Sequence, residues 1–314
     1  MESLAGPLII GVAMLIALVP LATLLGVRLL IPLNGGAEQA GPPPPRFESL
    51  ADLWAGLAPH LRELRNRMLA CILALALGSA IGFWLGSDAS PVGPLPVLIA
   101  GHFAPGVVLQ GIDVTEVFVS YLRVALLVGF ALALPVLIYQ AMAFLAPALR
   151  PQEQRLLFSA LPFLIELFLV GALFGWFVTV PAALDFLISF GIGGPIEVRP
   201  RLADFLGVVT TLVLWNGLIF ELPAVIFLLA RLGLVRAGAL ARARRYAIAL
   251  IVVFAGLITP TGDPYNLLLL AVPMWLLYEL GVLACAVRAA SRSRAAAVAR
   301  RGGGPLPFEM LDCG

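Results

Sequence analysis

Residues 117–149 read VFVSYLRVALLVGFALALPVLIYQAMAFLAPAL, and Arg123 is their only charge. A hydrocarbon core about 30 Å thick is crossed by roughly 20 helical residues, so this run is long enough to span a bilayer. Six further runs resemble it: Ser3–Val27, Met68–Ser87, Leu156–Leu184, Phe205–Ala230, Tyr246–Gly262 and Pro264–Val287. Three of these carry one acid each, Glu166, Glu221 and Glu279. The ten-residue alternating strands of a membrane barrel are absent. The pattern predicts an all-α, polytopic membrane bundle. Composition agrees: 61% of the 314 residues are hydrophobic and 12% are charged, with a mean hydropathy of +1.03, against about 45–50% and about 25% in soluble domains.

All 20 basic residues are arginine, and they are not evenly spread. Arg28, Arg46, Arg62, Arg65 and Arg67 follow the first run, and Arg150 and Arg155 follow the third. Arg231, Arg236, Arg242, Arg244 and Arg245 follow the fifth, and Arg288 to Arg301 follow the last. The intervening segments 88–116 and 185–204 hold only Arg199 and Arg201. Cytoplasmic loops carry the arginine excess, which predicts an N-terminus outside and a cytoplasmic tail over 289–314. Ser3–Val27 lacks the basic start of a cleaved signal peptide. With Arg28 behind it, it reads as a retained anchor within 1–33, a start codon further downstream being the other reading. Residues 34–56, with Pro42–Pro45 in a row, read as a stiff linker.

Three scattered cysteines and two histidines offer no disulfide framework and no metal centre. No phosphate-binding glycine loop and no paired nucleophile and base occur. No cofactor and no enzymatic chemistry are expected.

Four stretches share one order and spacing. His60-Leu61-Arg62-Glu63-Leu64-Arg65-Asn66-Arg67 precedes the second run. Leu134-Pro135 to Gln140 leads to Phe144-Leu145-Ala146-Pro147. Phe220-Glu221-Leu222-Pro223 lies in the fifth run, and Thr259-Pro260, Asp263, Pro273 and Tyr278-Glu279 mark the last two. Together they resemble TatC, the multi-spanning subunit of the twin-arginine, Sec-independent protein translocase, over roughly residues 57–288. The resemblance implies a six-span core to which Ser3–Val27 is an addition. It also implies a signal-peptide receptor in the inner (plasma) membrane, with TatA- and TatB-like single-span partners, exporting folded cargo on proton-motive force. Signal-peptide contact falls on Glu63, Arg65, Glu153 and Phe144, and a periplasmic turn on Pro260 and Asp263. On sequence alone, Glu63 pairs with Arg67 one turn on, and Glu153 between Arg150 and Arg155 has the same local reading.

Membrane depth singles out three acids independently. Glu221 lies about 15 Å before Arg231, Glu166 about 16 Å after Arg155, and Glu279 about 14 Å before Arg288 by helical rise. Intramembrane acids are costly and mark function, or else form structural hydrogen bonds between helices. The same three acids support the alternative function, a proton-coupled small-solute transporter.

Overall fold

In hydrocarbon the backbone must satisfy its own hydrogen bonds, and helices are the local way to do so. The computed structural model describes residues 50–87, 93–189, 199–231, 237–259 and 263–301. Ten α-helices cover most of them. They are α1 (Leu50–Leu85), α2 (Leu95–Phe103), α3 (Glu116–Leu145), α4 (Pro151–Ser159), α5 (Leu161–Phe174), α6 (Val180–Ser189), α7 (Leu202–Phe220), α8 (Leu222–Arg231), α9 (Ala237–Ile258) and α10 (Pro264–Arg301). The anchor expected over 1–33, most of the linker and Pro260 lie outside the described residues.

Among the described residues, five stretches are long and apolar enough to cross a membrane: Ala58–Leu85, Glu116–Leu145, Glu153–Ile188, Leu202–Ala230 and Pro264–Val287. The second uncharged run is thus the end of a longer helix that starts at Leu50, inside the segment expected to be linker. The sixth expected span differs too. Its helix α9 starts at Ala237, where alanine-rich residues carry the helix through Arg242, Arg244 and Arg245. The uncharged remainder, Tyr246–Ile258, supplies about 20 Å. At the other end, α10 continues past Val287 into the arginine-rich segment without a break.

The chain divides into two compact units, Met1–Gly93 with Ala125–Glu166, and Pro94–Val124 with Leu167–Gly314. In the first, α1 crosses the later part of α3 at glycine. A Cβ on Gly78 would stand 2.5 Å from the Gly129 carbonyl oxygen, and one on Gly82 would stand 2.6 Å from that of Ala125. Without a hydrophobic drive between lipid-immersed helices, such small-xxx-small stripes provide close packing instead. Much of α1 away from this crossing, including Leu73, Leu77 and Trp84, is exposed.

In the second unit α7 is the central element, with Leu206, Val209, Leu212 and Asn216 buried. Gly171 abuts the Asn216 carbonyl, where a Cβ would meet oxygen at 2.5 Å. Between α5 and α6, Gly175–Thr179 widens into a π-turn, closed by Val180 N–H donating to the Gly175 carbonyl. Its cause is Pro181, which has no N–H and whose ring collides with the carbonyl one α-turn back. Thr179 Oγ1 lies 3.4 Å from Asn216 Oδ1. A second core, around Ile219, Ile251, Ala255, Leu270, Met274 and Tyr278, joins α7, α9 and α10.

Gly129→Leu is therefore expected to drive α1 from α3 and lower the unfolding midpoint of the detergent-purified protein, an overpacking cost of about 1–3 kcal/mol or more. Gly101→Ala, with nothing within 4 Å of the new methyl, should leave the midpoint unchanged or raise it.

Candidate functional site

The first unit carries the residues that the sequence marks for recognition. Glu63 Oε1 accepts from Arg67 Nε at 3.0 Å and Nη2 at 2.6 Å. Arg67 Nη1 also donates to Gln140 Oε1 of α3 at 3.2 Å. The local pair is thus tied to the neighbouring helix, and the Glu63 Oε2 atom has no hydrogen bond or ion pair among the described residues. Arg65 is exposed and, among the described residues, meets only the adjacent Asn66, at 3.5 Å. Glu153 opens α4. Its Oε2 accepts the backbone N–H of Arg150 at 2.9 Å, the reach-back of a capping box, with Pro151 at the first helical position. Oε1 makes no bond among the described residues. Gln154 Nε2 donates to the Ala146 and Leu149 carbonyls at 2.8 and 3.1 Å, fixing the turn at Pro147. Phe144, one residue before α3 ends, is exposed. Glu63 and Glu153 share this unit, 90 residues apart in the chain, and no hydrogen bond or ion pair joins them.

Two of the three intramembrane acids belong to the second unit. Pro223 interrupts the helix after Glu221, which stands at the turn between α7 and α8. Both Glu221 carboxyl oxygens are buried, without a hydrogen-bond partner among the described residues. Leaving such a group unmatched costs about 1–3 kcal/mol. Glu279, by contrast, has a partner, Arg244 Nη2 of α9 at 2.9 Å, beside the Tyr278 hydroxyl, which donates to the Leu240 carbonyl at 2.9 Å. Register links the two acids. Gly281 packs on Pro223 and Ile226, and Cys285 Sγ lies 3.9 Å from the Ile226 oxygen, so α8 and α10 run parallel. Glu221 and Glu279, each two residues earlier, lie at one level. That level also holds Arg244, so it lies toward the arginine-bearing end rather than at a charge-free midplane. Glu166 of α5 is half-buried and makes no hydrogen bond or ion pair among the described residues.

At the opposite end Asp263 caps α10. Its Oδ1 accepts from Asn266 N–H at 2.7 Å and its Oδ2 from Asn266 Nδ2 at 2.8 Å, ahead of Pro264.

Sequence reasoning missed Glu116. Its side chain is 2% exposed. Oε2 accepts from Ile112 N at 2.8 Å and Asp113 N at 3.2 Å, and Oε1 accepts from Ala203 N at 3.0 Å. Arg201 Nη2 joins it at 3.3 Å and Asp113 Oδ2 at 2.8 Å, and these carboxylates raise the Arg201 pKa above its usual value. Asp113-x-x-Glu116 ahead of an apolar run is a capping-box pattern, and that was the available signal.

Residues 59–273 match the family model "Sec-independent protein translocase protein (TatC)". A Deinococcus radiodurans protein named Sec-independent protein translocase protein TatC is 35% identical over 246 residues, covering 77% of this chain and 88% of that protein. An Aquifex aeolicus protein of the same name is 34% identical, covering 72% and 92%. The crystal structure of a twin arginine translocase receptor, TatC, superposes with a TM-score of 0.64 at 32% identity, covering 73% of this chain and 98% of that one.

Glu221 and Glu116 should respond oppositely to the same change. Glu221→Leu, which removes an unpaired carboxyl, is expected to raise the unfolding midpoint in detergent. Glu116→Leu, which strands three N–H groups and a guanidinium, should lower it. A fall for Glu221→Leu would mean that its carboxyl is matched after all.

Proposed function

The chain belongs to the TatC family of Sec-independent protein translocase proteins, and from that premise we propose that Glu63 and Glu153 hold the two arginines of a twin-arginine signal peptide. The translocase function itself follows from membership, and the solute-transporter alternative is not favoured. The proposal rests on one observation: among the described residues, each of these carboxylates uses a single oxygen and leaves the other unengaged. A guanidinium makes planar, bidentate bonds to carboxylates, so two half-engaged acids suit two consecutive arginines. Arg65 flanks the first acid, and Phe144 offers an exposed ring for the apolar part of the signal.

Glu221, whose carboxyl oxygens are buried and unmatched among the described residues at a helix break, is the contact for a polar side chain of a TatA- or TatB-like single-span partner. Glu166 and Glu279 are further polar contacts of the same kind. The core works without covalent catalysis, in the plasma membrane, drawing on proton-motive force. Its arginine-rich segments face the cytoplasm, and the turn containing Pro260 and Asp263 faces the periplasm.

Charge-pair truncation costs little when exposed and a few kcal/mol when desolvated. Glu63→Ala or Glu153→Ala is therefore expected to weaken crosslinking of a twin-arginine peptide in membranes about ten- to a hundredfold. Unchanged binding in the double mutant would sink this assignment. Orientation has its own test. With the native cysteines replaced, an impermeant maleimide added to intact cells should label Arg199→Cys and spare Ala239→Cys; the reverse pattern would invert the topology.

A further inference from the structure

We propose that the segment from Val107 to Phe118, which joins α2 to the membrane-spanning α3, lies in the headgroup zone of the outer lipid leaflet as an interfacial element. It rests on the orientation proposed above only for the word outer. The lipid contact itself does not depend on that orientation.

The segment is apolar where a water-bathed loop would be polar. Val108 is 68% exposed, Ile112 64% and Val114 100%. Beyond Asp113, Thr115 and the buried Glu116, apolar exposure resumes at Val117 and Phe118, on a helix long and apolar enough to cross the bilayer. Val97 of α2, before the segment, is exposed as well. Scattered surface hydrophobics are ordinary, but a contiguous exposed group marks an interaction site.

Several of the segment's polar groups find partners within the chain, while the Asp113 side chain stays 67% exposed at the headgroup level. Val107 N–H donates to the Ala104 carbonyl at 3.1 Å, Gln110 N–H to Pro200 at 3.1 Å, and Leu202 N–H to Gln110 at 2.9 Å. Ile112 and Asp113 give their N–H groups to Glu116. Asp113 and Arg201 neutralise one another at 2.8 Å. In water an exposed loop has no need of such matching, since solvent supplies partners. Near hydrocarbon an unmatched backbone group is expensive. The buried Glu116 thus serves as an internal substitute for water.

Depth is marked by Arg123. Its backbone lies seven residues into α3, about 10 Å below Glu116. Its Nη1 atom reaches the Ala203 carbonyl at 2.9 Å, passing over Gly207, where a Cβ would meet it at 2.6 Å. Ala203 is the residue whose N–H Glu116 holds. An exposed arginine on a spanning helix directs its head group toward the polar interface. The direction taken by Arg123 therefore sets the interface at the level of Glu116 and Ala203, which is the level of the apolar segment. The lipid partner is an ordinary phospholipid, its acyl carbons against Ile112 and Val114 and its phosphate within reach of Arg123.

The test uses the full chain with its native cysteines replaced and bimane attached at Ile112→Cys or Val114→Cys. Arg199→Cys serves as aqueous reference and Leu77→Cys, exposed on α1, as lipid reference. Each protein is reconstituted in phosphatidylcholine–phosphatidylglycerol vesicles, and detergent gel filtration confirms an unchanged elution volume. Bimane at 112 and 114 is expected to emit to the blue of the Arg199→Cys probe. It should lose most of its emission to phosphatidylcholine carrying doxyl near the headgroup, and little to iodide. Strong quenching by iodide with none by doxyl lipid would place the segment in water and overturn the proposal. Quenching by neither would mean that protein covers it, a second copy or another subunit, and would overturn it equally.

Discussion

Hydrocarbon supplies no hydrogen-bond partners, so each polar group that this chain carries into a bilayer must be matched by the chain itself. Most of the architecture follows from that demand. Helices meet it for the backbone, and glycine stripes at Gly78, Gly82 and Gly129 then allow helices to approach without a solvent-driven force. Where prolines remove an N–H, the chain compensates locally. Pro181 sits behind a π-turn, and Pro223 stands at the boundary between α7 and α8. The exception is as informative as the rule. Among the described residues Ser79 and Ser120 each leave one buried hydroxyl unmatched, but Glu221 leaves both oxygens of a carboxyl so, at a helix break.

The helical, membrane-spanning nature of the chain was legible because a run such as residues 117–149 has few other uses. Boundaries were less so. Charge was read as the end of each span, yet α9 begins among arginines at Ala237 and α10 runs through them to Arg301. Alanine and arginine both favour helix, and hydropathy reports where a helix meets water rather than where it stops. The early start of α1 at Leu50 has the same origin.

The recognition residues show a similar division. The Glu63–Arg67 pair was visible as an i,i+4 spacing, whereas the link from Arg67 to Gln140 spans 73 positions and leaves no local trace. Depth arithmetic placed Glu221 and Glu279 at similar distances from flanking arginines, but it left out Arg244, which approaches from a different helix and pairs with one acid alone. Glu116 was hidden for the opposite reason. It stands at the edge of an apolar run, where an acid looks like an ordinary helix start, and its partners Ala203 and Arg201 come from far along the chain.

The length of α10 has a mechanical side. From Pro273 to Arg301 the helix is continuous, a shaft of about 42 Å by helical rise. Proline within a helix is where bending concentrates. A change of about 10° at that point displaces the far end by about 7 Å, from the same helical rise. A shift of a few tenths of an ångström at Tyr278, about 7.5 Å along that shaft, would thereby be geared up about five- to sixfold, to about 2 Å at the arginine-bearing tip. A buried rearrangement becomes a displacement that a molecule outside the membrane can feel.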